Sequence, residues 1–258
     1  MISGKVITGF TVLKLVLSMS LVLAFFTVEA QEHQEHETVE IPEPLMFDLV
    51  RGLGARKGEL EVNSLADFPI DNFNQRGVEW APEIEYAIFN NFAVELEFPM
   101  NNVELEAIKV AAQWTIGDSK NGKFIHGIQV LGERYLHDEI FELNFLYVPA
   151  YRFNHIWSAI ALIGVMLESG AEAAADTSTI LLNASIFANL QENMVVGVEF
   201  NNTNPGFQEI DDNDMELLIL PQFHYEWPNG LSVQTGLGPR FDDGEINGSG
   251  VLRVIKTF

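Results

Sequence analysis

An alternating stretch at residues 77–99, GVEWAPEIEYAIFNNFAVELEFP, constrains the fold more than any other part of the sequence. Large apolar residues such as Trp80, Ile84 and Tyr86 hold one set of alternate positions, and small or acidic residues hold the other. This period of two is that of an extended strand whose faces meet different surroundings. The stretch divides at Asn90-Asn91, and because Asn tolerates positive φ we predict a tight hairpin turn there.

Two kinds of fold fit this hairpin. In a soluble sandwich the acidic face would meet water, whereas in a membrane barrel the apolar face would meet lipid and the acidic face a wet lumen. The chain of 258 residues carries 37 acidic against 14 basic side chains, a net charge of −23, yet its mean hydropathy is +0.10. Such charge and hydropathy together require polar and apolar residues on separate faces. The acidity argues against a nucleic-acid partner, whose phosphates would be repelled.

The absence of cysteine excludes disulfides, a reactive thiol and a Cys-ligated metal. His33 and His36 have a spacing that suits a divalent metal, but a mobile acidic tail is the favoured interpretation of that region. We therefore predict no metal centre, no cofactor and no catalytic residue.

The amino terminus, residues 1–30, has the features of a signal peptide. Lys5 and Lys14 precede or border an apolar run at residues 15–26, and small residues precede a cleavage site after Ala30. An uncleaved anchor is the alternative, but the run is short for a membrane span. Residues 31–56 follow as an acidic N-terminal tail or plug-like lead-in.

The body, residues 57–258, is a succession of alternating segments. We predict an all-β fold, a closed antiparallel transmembrane β-barrel of about twelve strands, because most segments approach the nine to eleven residues that cross a bilayer at a tilt. Tight turns are expected at 90–91, 154–155, 190–192 and 228–229, and longer loops at 67–76, 169–177, 203–213 and 241–247. Residues 100–102 are short where a long loop is expected. Aromatic residues next to the tight turns, among them Phe89, Trp157 and Trp227, are typical of the lipid–water interface.

The chain ends in GSGVLRVIKTF, where Leu252, Val254 and Phe258 share a parity. This strand resembles the C-terminal assembly signal of Gram-negative outer-membrane β-barrels, although Lys256 departs from that pattern. Residues 57–258 are similar in pattern to small porin-like, channel-forming barrels of that class. The resemblance implies export through the periplasm, location in the outer membrane, and lipid and the barrel insertion machinery as partners.

The polar parity predicts the side chains that line the lumen. They are Glu79, Glu83, Glu85, Glu95, Glu97, Glu104, Glu106, Glu142, Glu199, Arg152 and Arg240. Closure of the barrel would bring Arg240 and Arg253 near the acidic wall. In one interpretation this wall lines a pore that favours small cationic or neutral solutes; in the other, Glu–Arg networks seal a structural barrel. A lipid-modifying outer-membrane enzyme is a third interpretation. The histidines of this chain, including His155 near Ser158, belong to no serine-nucleophile motif, however.

Overall fold

The computed structural model describes residues 39–47, 49–71, 77–137, 140–170, 178–204, 216–242 and 245–258. These residues form fourteen strands and two of them, β4 and β5, contain only two residues each. The strands are β1 (Leu60–Pro69), β2 (Glu79–Phe89), β3 (Phe92–Glu97), β4 (Met100–Asn101), β5 (Glu104–Leu105), β6 (Ala107–Asp118), β7 (Phe124–Tyr135), β8 (Ile140–Arg152), β9 (Trp157–Gly170), β10 (Ser178–Gln191), β11 (Met194–Asn204), β12 (Glu216–Glu226), β13 (Leu231–Asp242) and β14 (Glu245–Thr257).

The twelve longer strands close into a ring. Each pairs antiparallel with its neighbours in the order β1-β14-β13-β12-β11-β10-β9-β8-β7-β6-β3-β2, and β1 also pairs with β2. At the seam Glu61 lies opposite Thr257 on one side and Glu85 on the other. The predicted closed antiparallel barrel of twelve strands is confirmed. In the part of the chain that the structure describes, no helix is long and apolar enough to cross a membrane.

The hairpin at Asn90-Asn91 forms as predicted, with Asn91 at φ 68°. The register shifts between Ala87 and Phe89, so that Ala87 pairs with Ala93 while Phe89 pairs with Phe92. A bulge adds one residue to a strand. Here it lets both strands keep their apolar side chains on the same outer face across a two-residue turn.

Two predicted connections differ from the structure. The short connection at 100–102 is part of a small hairpin in which β4 pairs with both β2 and β5, and Asn102 takes φ 53°. The predicted long loop at 241–247 is wrong, because β13 and β14 pair up to Asp242 and Glu245. Loop length is therefore sorted between the two ends of the barrel less strictly than the sequence predicts.

The outer face of the barrel is apolar. Exposed side chains alternate with buried ones along the strands, as in β2, where Ile84 and Tyr86 are exposed and Glu83 and Glu85 are buried. Aromatic pairs lie beside the tight turns, with ring centroids 5.1 Å apart for Tyr151 and Phe153 and 4.7 Å apart for Tyr225 and Trp227. This arrangement suits a lipid-facing band with an aromatic border.

A segment ahead of β1 lies inside the barrel. Within residues 39–56, Leu45, Leu49 and Val50 are fully buried or nearly so, and they pack against inward-facing residues of the strands. The predicted signal peptide, the cleavage site after Ala30 and both His33 and His36 lie outside the described residues.

Candidate functional site

An acidic wall lies on the inner face of β2 and β3. The register places Glu83 directly opposite Glu97 and Glu85 directly opposite Glu95, and all four side chains are buried. Carboxylate oxygens of Glu83, Glu85 and Glu95 lie within 4.8 Å of one another. Like charges directly opposite on paired strands repel, so the wall requires positive charge nearby.

Arg253 supplies that charge from one side of the seam. Its guanidinium donates to Glu83 Oε1 at 2.9 Å, to Glu85 Oε1 at 3.4 Å and to Asn63 Oδ1 at 3.3 Å. Asn63 Nδ2 in turn donates to Glu85 Oε1 at 2.6 Å. Closure of the barrel thus joins the last strand to the acidic wall through a buried ion-pair cluster in which Nη2 of Arg253 contacts both carboxylates.

Lys109 of β6 supplies the second positive charge, from the other flank. It forms an ion pair with Glu97, and its Nζ lies 3.9 Å from Glu95 Oε1. Sequence reasoning missed this residue, although the alternation could have found it. Lys109 shares its parity with Ala107, Ala111 and Gln113, and the residues between them are all apolar.

A third basic group comes from the segment inside the barrel. Arg51 contacts Glu61 Oε2 at 2.5 Å and Glu59 Oε2 at 3.3 Å. Burial acts to lower the pKa of Arg51, but the neighbouring carboxylates, beginning with Glu43, raise it above its ordinary value. This guanidinium therefore stays charged at any physiological pH.

The spacing of Glu83, Glu85 and Glu95 would suit three ligands of a metal ion. Arg253 and Lys109 already provide positive charge to these carboxylates, however. We therefore assign no metal to them. Their arrangement instead makes a fixed-charge wall in which carboxylates outnumber the basic side chains.

Glu199 forms a second interior site, on β11. Its carboxylate is fully buried and accepts hydrogen bonds from the backbone N–H groups of Leu45 at 2.7 Å, Met46 at 3.0 Å and Phe47 at 2.7 Å. Asn201 Nδ2 donates to it at 2.9 Å and Gln222 Nε2 at 3.1 Å. A carboxylate held by consecutive backbone N–H groups occupies the same kind of concavity that binds anions elsewhere.

The other predicted lumen residues do not join the acidic wall. Glu79 and Glu104 are exposed, and Glu104, in β5, lies 3.3 Å from His137 with a side chain that is 69% exposed. Glu106 is half-buried beside the same hairpin.

Three more predicted residues lie on other strands. Glu142 is half-buried, with a hydrogen bond to Tyr135, and Arg152 is half-buried at the tight-turn end of β8. Arg240 pairs with Asp67 at 2.5 Å and donates to Ser249 at 3.2 Å. Closure brings Arg240 to a carboxylate of β1 that was outside the predicted set.

A cavity of about 140 Å³ separates the acidic wall from the segment inside the barrel. Leu45, Met46 and Phe47 line one side of it, and Glu83, Glu97, Lys109 and Arg253 are among the residues that line the rest. The acidic wall and the segment therefore face each other across a small cavity.

The histidines make contacts with groups other than serine. His224 is buried with Nε2 2.7 Å from Gln222 Oε1, and His126 stacks on Phe124 with ring centroids 5.2 Å apart. Ser158 is fully buried, while His155 beside the tight turn is exposed. These positions do not favour a hydrolytic Ser–His pair.

Solved structures with the same architecture are porins and channels of the outer membrane. The KdgM porin matches with a TM-score of 0.58 at 12% identity, over 77% of this chain and 99% of the porin. The NanC porin matches with a TM-score of 0.59 at 7% identity, over 76% of this chain and 98% of the porin. An outer-membrane channel from Pseudomonas putida F1 matches with a TM-score of 0.59 at 9% identity, over 80% of this chain and 97% of the channel. These neighbours show that the chain has the fold of the porin-like β-barrels.

A family model described as HAEPLYID-like matches residues 37–255, and the chain belongs to this family. A search of the curated proteins gives no match. Read as one-letter codes, the family name agrees with residues 41–48, IPEPLMFD, at Glu43, Pro44, Leu45 and Asp48. The first three of these residues belong to the segment that lies inside the barrel.

Proposed function

We propose that the chain is an outer-membrane channel whose pore favours small cations over anions. The observation that supports this most directly is the acidic wall of Glu83, Glu85, Glu95 and Glu97 on the inner face of a porin-like barrel. Fixed carboxylates along a pore attract cations and repel anions, since a low-dielectric wall concentrates their field. Arg253 and Lys109 reduce this field without cancelling it, because they are fewer than the carboxylates beside them.

Anionic solutes fit this interior poorly. One of the KdgM structures is a complex with disordered oligogalacturonate, a chain of carboxylated sugars. A polyanion of that kind would meet repulsion at the acidic wall described here. Small cationic or neutral solutes are the class that we assign to this channel, and oligogalacturonate serves as a negative control for transport.

The route to the membrane belongs to the same proposal. A signal peptide at residues 1–30, cleaved after Ala30, would direct export of the chain through the periplasm. The barrel insertion machinery would then recognise the terminal strand. Leu252, Val254 and Phe258 support this step because all three are exposed on the outer face, where lipid and the machinery can reach them. Phe258 also donates its backbone N–H to Leu60 at 2.9 Å and so extends the seam.

A sealed structural barrel is the second candidate. It is favoured by the burial of the interior, where apolar residues from the segment at 39–56 and from the strands form a continuous core. Porin lumens are polar and water-filled. Here this apolar core shares the interior with the acidic wall, and its burial argues for a closed state. Reconstitution in planar bilayers separates the candidates, since a sealed barrel gives no conductance at any voltage.

Selectivity is tested by changing one carboxylate of the wall. Glu95→Gln removes a charge while Lys109 keeps its closer partner Glu97, so the barrel should remain folded. We expect the reversal potential across a salt gradient to move toward zero in this variant. Glu104→Gln is the matched control, because it removes an exposed carboxylate outside the wall. Anion preference in the unaltered protein would refute the proposal.

A further inference from the structure

The segment at residues 39–56 crosses the barrel interior between walls that lie nearly opposite in the ring. Residues 45–47, in the middle of the segment, are bonded to Glu199 on β11, whereas Gly54 near its end donates to Thr115 Oγ1 on β6 at 2.9 Å. Between them, the Val50 N–H donates to Gln129 Oε1 at 3.1 Å, and Gln113 Nε2 donates to the Arg51 carbonyl at 2.6 Å. A segment anchored on both sides obstructs the path that an open barrel would provide.

We propose that Glu199 is a latch that holds residues 39–56 in the interior, and that detachment of this segment opens the conducting path. The opening step rests on the proposed channel function, while the latch itself does not. Four of the six hydrogen bonds described for the Glu199 carboxylate come from the segment, one each from Leu45 and Phe47 and two from Met46. The segment thus provides most of the stabilisation that this buried charge receives.

The latch has the chemistry of a reversible contact. When the segment leaves, water can enter and hydrate both the carboxylate and the three N–H groups, so the net contribution of each bond is small. The inner face of the barrel nevertheless leaves space for the segment at two glycines. A Cβ at Gly236 would come within 3.0 Å of Leu45 Cδ2, and one at Gly127 would come within 2.8 Å of Leu53 Cδ2.

Neighbouring charges do not replace the latch. Arg51, which belongs to the segment, bonds to Glu61 and Glu59. Arg253 bonds to Glu83 and Glu85 and lies 4.0 Å from Glu43 of the segment, so these basic groups serve carboxylates other than Glu199. Glu199 therefore depends on backbone and amide donors. Substituting it should loosen residues 45–47 of the segment, while the pairs of Arg253 with Glu83 and Glu85 at the seam stay intact.

The test is thiol labelling of the full chain, which contains no natural cysteine to give a background. Val50→Cys places a single thiol at a fully buried position of the segment. We expect Glu199→Ala to raise its rate of reaction with a water-soluble maleimide at least tenfold, which corresponds to about 1.4 kcal/mol in the opening equilibrium. Glu142→Ala is the matched control, an interior carboxylate bonded to Tyr135, and should leave the rate unchanged.

Heat-modifiable migration on gels verifies that each variant forms a barrel. If Glu199→Ala does not fold, Met46→Pro removes one N–H donor from the segment and leaves every barrel residue intact. Unchanged labelling in a folded variant of either kind refutes the latch. Faster labelling together with larger conductance supports both the latch and the opening step, whereas faster labelling without any conductance supports the latch and refutes the channel.

Discussion

Replacing Arg253 with methionine should destabilise the barrel more than any other single change in the acidic wall. The substitution removes the donors that reach Glu83 at 2.9 Å, Glu85 at 3.4 Å and Asn63 at 3.3 Å, and it leaves two buried carboxylates beside each other. Removal of one partner from a buried ion pair costs about 3–5 kcal/mol, because the remaining charge stays desolvated. We expect a loss of free energy of unfolding in this range for Arg253→Met.

Reversible urea unfolding in lipid vesicles, followed by tryptophan fluorescence, measures this loss. Arg152→Met is the control, since this arginine is half-buried at the end of β8 and its loss should cost about 1 kcal/mol or less. The triple variant with Arg253→Met, Glu83→Gln and Glu85→Gln should recover more than half of the lost stability, because the uncompensated charges are gone. A loss below about 1 kcal/mol for Arg253→Met, or no recovery in the triple variant, would refute this account.

Three further predictions concern the turn and the two ends of the chain. Asn91 has φ 68°, so Asn91→Val should cost about 1–2 kcal/mol in urea unfolding while Asn91→Gly costs far less; equal costs would contradict this. Deletion of Phe258 should lower the heat-modifiable fraction of exported protein, because its N–H and exposed ring extend the seam, and a normal fraction would count against the assembly signal. The mature protein should begin at Gln31, and an intact mass that retains residues 1–30 would contradict the predicted cleavage.

The alternation of side chains was sufficient to predict the ring of strands and the inner face of β2. Each strand has one exposed, apolar face and one face toward the interior, so a period of two encodes its orientation residue by residue. The turn at Asn90-Asn91 could be predicted because it depends only on local residues. Few residues other than Gly and Asn adopt positive φ. Properties set by neighbours in sequence were therefore accessible from the sequence.

Contacts between distant parts of the chain were harder to predict. Alternation says that Glu83 faces inward but not that Arg253 reaches it, and it cannot tell a wet lumen from an interior filled by residues 39–56. The predicted wet acidic wall stays a prediction, and in the structure Glu85 of that wall is fully buried. The prediction of a long loop at 241–247 was wrong for a related reason. The Gly, Asp and Asn residues there are compatible with either a long loop or extended strands joined by a tight turn.

The seam between β1 and β14 has a consequence for the timing of assembly. It joins strands from the two ends of the body, as in the bond from Thr257 Oγ1 to Glu61, which spans 196 residues of sequence. Contacts of such high sequence separation form slowly, because the intervening chain must be ordered first. Until β14 arrives the sheet has two open edges, and residues 39–56 can settle on its concave face before the ring closes over them. A chain that stalls before β14 would keep those edges exposed and would be prone to aggregate or to be degraded.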